Sequence, residues 1–202
     1  MRLLLSGGGN PYQVKELDKL FAKTTNINNK ILYVPIAIDT ISYNDCYDWF
    51  KNTYSNYGIK NVDMITSLKN TKLDKYEAIF ISGGNTFKLL KEIKESSFDT
   101  KLINYLNNGG FVYGGSAGAI IFGKTIKTAF HLDENTVGLT NFNGLNLLKG
   151  KDIWCHYEPK DNEIIKKYDN NLFILCEGAG LYIDNGKIES VGQKYLKKSG
   201  IV

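Results

Sequence analysis

The feature that most constrains this chain is an alternation of short apolar runs with amphipathic segments, joined through glycine or polar turn residues. Leu3 to Leu5 leads through "SGGGN" to a segment with Val14, Leu17, Leu20 and Phe21 on one helical face, Asn10 as its N-cap and Pro11 in its first turn. "KILYVPIAI" reads as a buried strand, and "YNDCYDWFKNTYSNYG" as a helix ending at Gly58. "AIFISGGN" runs into the helix "TFKLLKEIKES", "TKLINYLNNGG" is a helix closed by glycine, and "FVYGGSAG" is a strand and turn. Strands alternating with helices pair in parallel and need helices above and below them. The expected fold is therefore α/β: three layers, a mostly parallel sheet with helices on both faces. Beyond about residue 125 strands dominate, in "KDIWCHYE", "NLFILCEGAG" and "LYIDNGKIESVG". Asp184-Asn185-Gly186 is a hairpin signal, so an antiparallel C-terminal hairpin is expected at the edge. No repeat or linker divides residues 1–202, which read as a single domain.

Composition narrows the class. At 202 residues, 43% hydrophobic and 23% charged, the chain can bury a sizeable core and has no low-complexity arm. Its charge of +4 comes almost wholly from scattered lysines, since Arg2 is its one arginine. A nucleic-acid footprint needs a basic stripe and usually arginine forks, so no nucleic-acid partner is expected. Cys46, Cys155 and Cys176 are odd in number and lack Cys-x-x-Cys spacing, which reads as reduced thiols rather than a disulfide framework or zinc knuckle. No apolar run reaches the length of a signal-peptide core or membrane span. The expected location is the cytoplasm, without a membrane partner.

Gly114-Gly115-Ser116-Ala117-Gly118 satisfies G-x-S-x-G, in which small neighbours let the chain bend sharply and lift the serine hydroxyl clear of the sheet edge. A tight structural turn is the competing reading. A serine nucleophile needs a base, and the chain has two histidines, His131 and His156. His156 follows the strand-like "DIWC", near a strand end where open α/β sheets gather functional groups, whereas His131 lies in the polar "TAFHLDENT". The imidazole in turn needs an acid to hold its tautomer. Glu177, between an apolar run and "GAG", is favoured, with Asp133 as the alternative acid. The Ala117 N–H and that of Gly84 in "SGGN" are the candidate oxyanion donors, and Asn85 is both a helix N-cap and a candidate substrate contact. Gly7-Gly8-Gly9 fits neither a P-loop nor a dinucleotide fingerprint, which leaves structural or substrate-edge duty.

Jointly, "SGGN-TFKLL", "GGSAGA", the "TIKT" after the elbow, the histidine forty residues after the serine and "EGAG" resemble the dipeptidase E family of serine peptidases, which includes aspartyl dipeptidases and, more distantly, cyanophycinases. The resemblance covers nearly the whole chain. It implies a flavodoxin-like fold similar to class I glutamine amidotransferases, and a Ser–His–Glu triad in chain order, matching Ser116, His156 and Glu177. Members that cut after an N-terminal aspartate are expected to meet its carboxylate with a basic side chain after the histidine. This chain has "YEPKDNEIIKK" there, with Lys160 as a point charge in place of arginine.

The expectation is a serine peptidase acting on small peptides, with Asp-Xaa among the candidate substrates and no metal or cofactor required. An esterase or amidase of another substrate class, and a non-catalytic ligand-binding member of the fold, are the alternatives. Sequence leaves the oligomeric state open.

Overall fold

A computed structural model describes residues 1–168 and 171–192, and the backbone of 196–197. Seven strands form the main sheet: β1 (Arg2–Ser6), β2 (Ile31–Val34), β3 (Val62–Met64), β4 (Ala78–Ile81), β5 (Phe111–Gly115), β8 (Ala179–Asp184) and β9 (Lys187–Gly192). Their order is β3-β2-β4-β5-β1-β8-β9. The first five strands are mutually parallel, and β8 and β9 add antiparallel to β1. The expected α/β fold and its antiparallel C-terminal hairpin are thus both present. Asn185 and Gly186 at the hairpin tip have φ of 47° and 87°, the pair of positive values that a type I′ turn needs.

Alternating side chains of the same strands feed two cores. Leu3, Leu5, Ile79, Ile81 and Val112 face one side, under α3 (Thr86–Glu95) and α4 (Phe98–Asn107). Leu4, Tyr33, Phe80, Phe111 and Tyr113 face the other, under α1 (Lys15–Thr24) and α2 (Tyr43–Ser55). Burying each such side chain stabilises the fold by about 1.5–3 kcal/mol, which is why the strands read as continuous apolar runs.

Two boundaries differ from expectation, and two strands stand outside the main sheet. Residues 10–14 form a turn and α1 starts at Lys15, because the Asn10 carbonyl accepts the Gln13 and Val14 amides while its Oδ1 accepts those of Tyr12 and Gln13. The helix α2, capped by Ser42 Oγ accepting the Asp45 N–H, stops at Ser55, before the expected Gly58. The strands β6 (Asp152–Trp154) and β7 (Leu172–Ile174) pair in parallel in a separate three-stranded sheet with β10 (Leu196–Lys197). That small sheet carries its own core of Trp154, Ile165, Leu172 and Ile174. Among the described residues no helix is long and apolar enough to cross a membrane.

Candidate active site

Ser116 sits between β5 and the one-turn helix α5 (Ala117–Ile120) with φ 49° and ψ −109°, a conformation that L-residues rarely adopt. The bend explains two glycines of the motif. A Cβ on Gly114 would strike the Gly118 carbonyl, and one on Gly118 would strike the Ile81 carbonyl. Such strain persists only where surrounding structure over-determines it. Here the Ser116 N–H donates to Ser6 O at 3.0 Å, and the Ser116 carbonyl accepts the Ala119 and Ile120 amides at 2.8 and 2.9 Å.

The structure brings together the serine, histidine and glutamate singled out in the sequence. Ser116 Oγ lies 2.8 Å from His156 Nε2, and His156 Nδ1 lies 3.1 Å from Glu177 Oε1. A carboxylate accepts the Nδ1 proton, leaving Nε2 as the acceptor for the serine O–H. The Glu177 carboxyl is held below its ordinary range, first by the hydrogen bond from His156 and then by one from Gln13, against a smaller opposing effect of burial.

The "SGGG" stretch is the jig for this arrangement. Ser6 O accepts the Ser116 N–H at 3.0 Å, Gly7 O the His156 N–H at 3.0 Å, and Gly8 O the Gly178 N–H, next to Glu177, at 2.9 Å. Three consecutive carbonyls at the end of β1 therefore each fix one of three distant segments. Gly7 packs where a Cβ would lie 2.7 Å from Leu175 Cβ, and Gly8, at φ 92°, leaves room for the His156 ring. The glycines serve close backbone approach, the structural reading of this stretch.

The diglycine loop after β4 also closes on the serine. A Cβ on Gly83 would lie 3.2 Å from Ser116 Cβ, and Gly84 adopts φ 131° against Ala37. Among the described residues, the amides of Gly84 and Ala117 are not taken up by backbone acceptors of the surrounding turns. Ala117 is the first residue of α5, where an N–H has no acceptor within its own helix.

Other sequence candidates are placed elsewhere. Asp133 Oδ2 accepts the Thr86 N–H at 2.8 Å, so the alternative acid caps α3 instead of meeting the imidazole. Asn85 is committed on both sides: Oδ1 accepts the Lys88 N–H at 2.9 Å, and Nδ2 donates to Glu134 O at 2.8 Å. Its side chain caps α3 at the cavity rim. Lys160 pairs with Glu158 on an exposed 3₁₀ turn and does not line the cavity, which removes the geometric basis for its substrate contact. His131 stacks on Trp154 with ring centroids 4.0 Å apart, and its Nε2 lies 3.2 Å from Cys155 O, a packing role.

A cavity of about 710 Å³ opens beside Ser116 and His156 and runs between α1, α2 and the sheet. At its inner end lies Asp18, 3% exposed, whose Oδ1 accepts the hydroxyls of Tyr54 at 2.7 Å and Tyr113 at 3.3 Å. Burial pushes its carboxyl up to about 6, although both hydroxyls oppose the shift. Sequence reasoning missed Asp18 and Gln13. The available signal was an acid between Leu17 and Phe21, within the apolar face of an amphipathic helix.

An α/β sheet with a strained serine turn, and a histidine and a carboxylate in hydrogen-bond sequence behind it, has the arrangement of a serine hydrolase. Residues 2–191 match the family described as Peptidase family S51. The chain is 26% identical over 181 residues to peptidase E of Haemophilus influenzae, covering 81% of each. It is 28% identical over 189 residues to peptidase E of a Nostoc species, covering 85% of this chain and 76% of that one. An uncharacterized peptidase of Listeria monocytogenes is 39% identical over 112 residues, a match spanning 54% of this chain and about half (52%) of that relative. The fold matches a crystal structure of a candidate peptidase E from Listeria monocytogenes with a TM-score of 0.78 at 22% identity, covering 96% of this chain and 98% of that one. The chain belongs to peptidase family S51, and its class is that of the serine-type peptidases.

Proposed function

We propose that the chain hydrolyses small peptides through an acyl-enzyme, with Ser116 as nucleophile, His156 as general base and Glu177 as the acid that orients it. The observation that carries this reading is the unbroken contact sequence, Ser116 Oγ to His156 Nε2 at 2.8 Å and His156 Nδ1 to Glu177 at 3.1 Å. Ser116 Oγ bonds to the scissile carbonyl carbon as its proton passes to Nε2. The amides of Gly84 and Ala117 receive the oxyanion, and the imidazolium returns its proton to the departing amine. Water then attacks the ester by the same route, giving up its proton to His156 and freeing Ser116.

Preference for an N-terminal aspartate is not part of this reading. Among the described residues no lysine or arginine lines the cavity to receive such a carboxylate. A cytoplasmic setting is consistent with the absence, among the described residues, of a disulfide joining Cys46, Cys155 and Cys176.

The test is labelling by a fluorophosphonate, which phosphonylates an activated serine. Wild type is expected to label and Ser116→Ala to stay blank. An unlabelled wild type, or equal labelling of both, overturns the catalytic reading. Turnover of esters without turnover of any dipeptide would move the chain to the esterase alternative.

A further inference from the structure

The cavity beside Ser116 has an acidic lining in a chain of net charge +4. Asp18, Asp39, Asp133 and Glu134 line it, and among the described residues no lysine or arginine does. Three of these carboxylates come from loops around the mouth. Asp18 is different, because it belongs to α1 and is buried at the inner end.

The proposed reaction leaves Asp18 without a task. Burying an acid costs stability unless it is paired, and this one has no cationic partner among the described residues. Tyr54 and Tyr113 both donate to Oδ1. Among the described residues both hydroxyl hydrogen bonds fall on Oδ1 and none on Oδ2, and Asp18 lines the cavity. The wholly buried Tyr33 also lines the cavity, and its hydroxyl bonds to nothing among the described residues, though the Ser82 and Cys46 side chains lie near it. The second carboxylate oxygen of Asp18 is an acceptor awaiting a donor. Phe80 and Tyr113, which line the same cavity, are aromatic walls suited to an alkyl stem or a cation.

The dimensions select the donor. Tyr113, whose hydroxyl meets Asp18, and Ser116 are three residues apart along β5 and the turn that follows it, about 10 Å at ~3.3 Å per residue, which a lysine stem and a hydrogen bond of about 2.8 Å from its ammonium span together. A lysine stem, five bonds of about 1.5 Å, spans roughly 6 Å from Cα to Nζ when extended, and its carbonyl carbon adds one more bond toward the nucleophile. An α-amino group is two bonds from that carbonyl carbon and falls well short.

We propose that this recess is a specificity pocket for a basic side chain, lysine or arginine, on the residue whose carbonyl Ser116 attacks, with Asp18 as its anionic anchor. The assignment deepens the peptidase reading and rests on it. Asp18 touches the substrate side chain and takes no part in bond breaking.

The experiment has three arms. Fluorophosphonate labelling of wild type, absent in Ser116→Ala, checks the nucleophile by itself; its failure sinks the peptidase reading before the pocket is examined. With untreated enzyme, kcat/KM is compared for lysyl, arginyl and norleucyl p-nitrophenyl esters, each with a free and an acetylated α-amine. Lysyl and arginyl esters are expected to exceed norleucyl at least tenfold, whether or not the α-amine is blocked, and Asp18→Asn is expected to bring that ratio to about one. Asparagine keeps an Oδ1 for the two tyrosines, and a melting temperature of the variant at or above that of wild type at pH 8 establishes that it is folded. The third arm needs no variant: n-butylammonium is expected to protect wild type from the probe at concentrations where 1-pentanol does not. Equal rates for lysyl and norleucyl esters, a ratio unchanged in Asp18→Asn, or equal protection by the two alcohol and amine probes overturns the pocket while leaving the nucleophile intact. A preference that follows the free α-amine and vanishes in Asp18→Asn also overturns it, by assigning the cation to the substrate's N-terminus.

Discussion

Gly8 stands so close to His156 that a Cβ at this position would overlap the imidazole, whose Nδ1 it would approach to 3.0 Å. Any side chain there displaces the ring from Ser116 or from Glu177. Gly8 also holds φ 92°, which a substituted residue resists. Gly8→Ala is expected to lower kcat by about a hundredfold, the cost of an ångström-scale misplacement, with a smaller change in KM. Steady-state kinetics on a turned-over peptide checks it; wild-type kcat would mean that the ring does not need this seat.

Glu177 and Asp133 compete in sequence and separate in space. Glu177→Gln replaces the acceptor of the Nδ1 proton and is expected to cost about 10²–10⁴ in kcat. Asp133→Asn weakens the cap on the Thr86 amide, costing about 1 kcal/mol of stability and less than tenfold in kcat. Thermal melts and kcat for the two variants side by side give the answer, and the reverse ranking would exchange the roles of the two acids.

Lys160 is paired to Glu158 outside the cavity. Lys160→Ala is therefore expected to leave kcat/KM within twofold of wild type on aspartyl and neutral peptides alike. A selective loss on aspartyl peptides would restore it as the partner of a substrate carboxylate.

Asp18 makes stability depend on pH in a direction opposite to that of a salt-bridged acid. Its carboxyl is raised from 3.8 to about 6 by burial, so between these values the folded chain binds more protons than the unfolded one, and stability falls as pH rises. The groups that face it, Tyr54 and Tyr57 from α2 and its following turn and Tyr113 from β5, all have hydroxyls shifted upward and stay neutral over this window. Relative to wild type, Asp18→Asn is expected to gain stability progressively from about pH 4 to 6 and to level off above it, by up to about 3 kcal/mol. Urea unfolding at pH 4 and pH 8 measures the difference; a constant offset between the two would show that Asp18 does not titrate in this range.

The sequence made the strands legible wherever both faces of the sheet are buried, since Leu3 to Leu5 and Ala78 to Ile81 have no polar side to present. It also marked Ser116, His156 and Glu177, because each sits where an apolar run breaks at a turn. What it hid depends on contacts far apart in the chain. The placement of β6 and β7 in a second sheet follows from Trp154 and Leu172 sharing a core of their own, which no local pattern encodes. Asp18 looks like a surface acid until Tyr54, 36 residues away, and Tyr113, 95 residues away, close over it. Lys160 attracted attention by its position after the histidine, but a neighbouring glutamate holds its charge.

The carbonyls of Ser6, Gly7 and Gly8 hold the segments of Ser116, His156 and Glu177 in consecutive order. The alignment of the three side chains is consequently a matter of counting peptide units along one strand end, two of which, Gly7 and Gly8, must also carry no Cβ. Chain length is constrained here as well as side-chain size: one residue inserted or removed between positions 6 and 8 breaks the register that ties three distant segments to consecutive carbonyls.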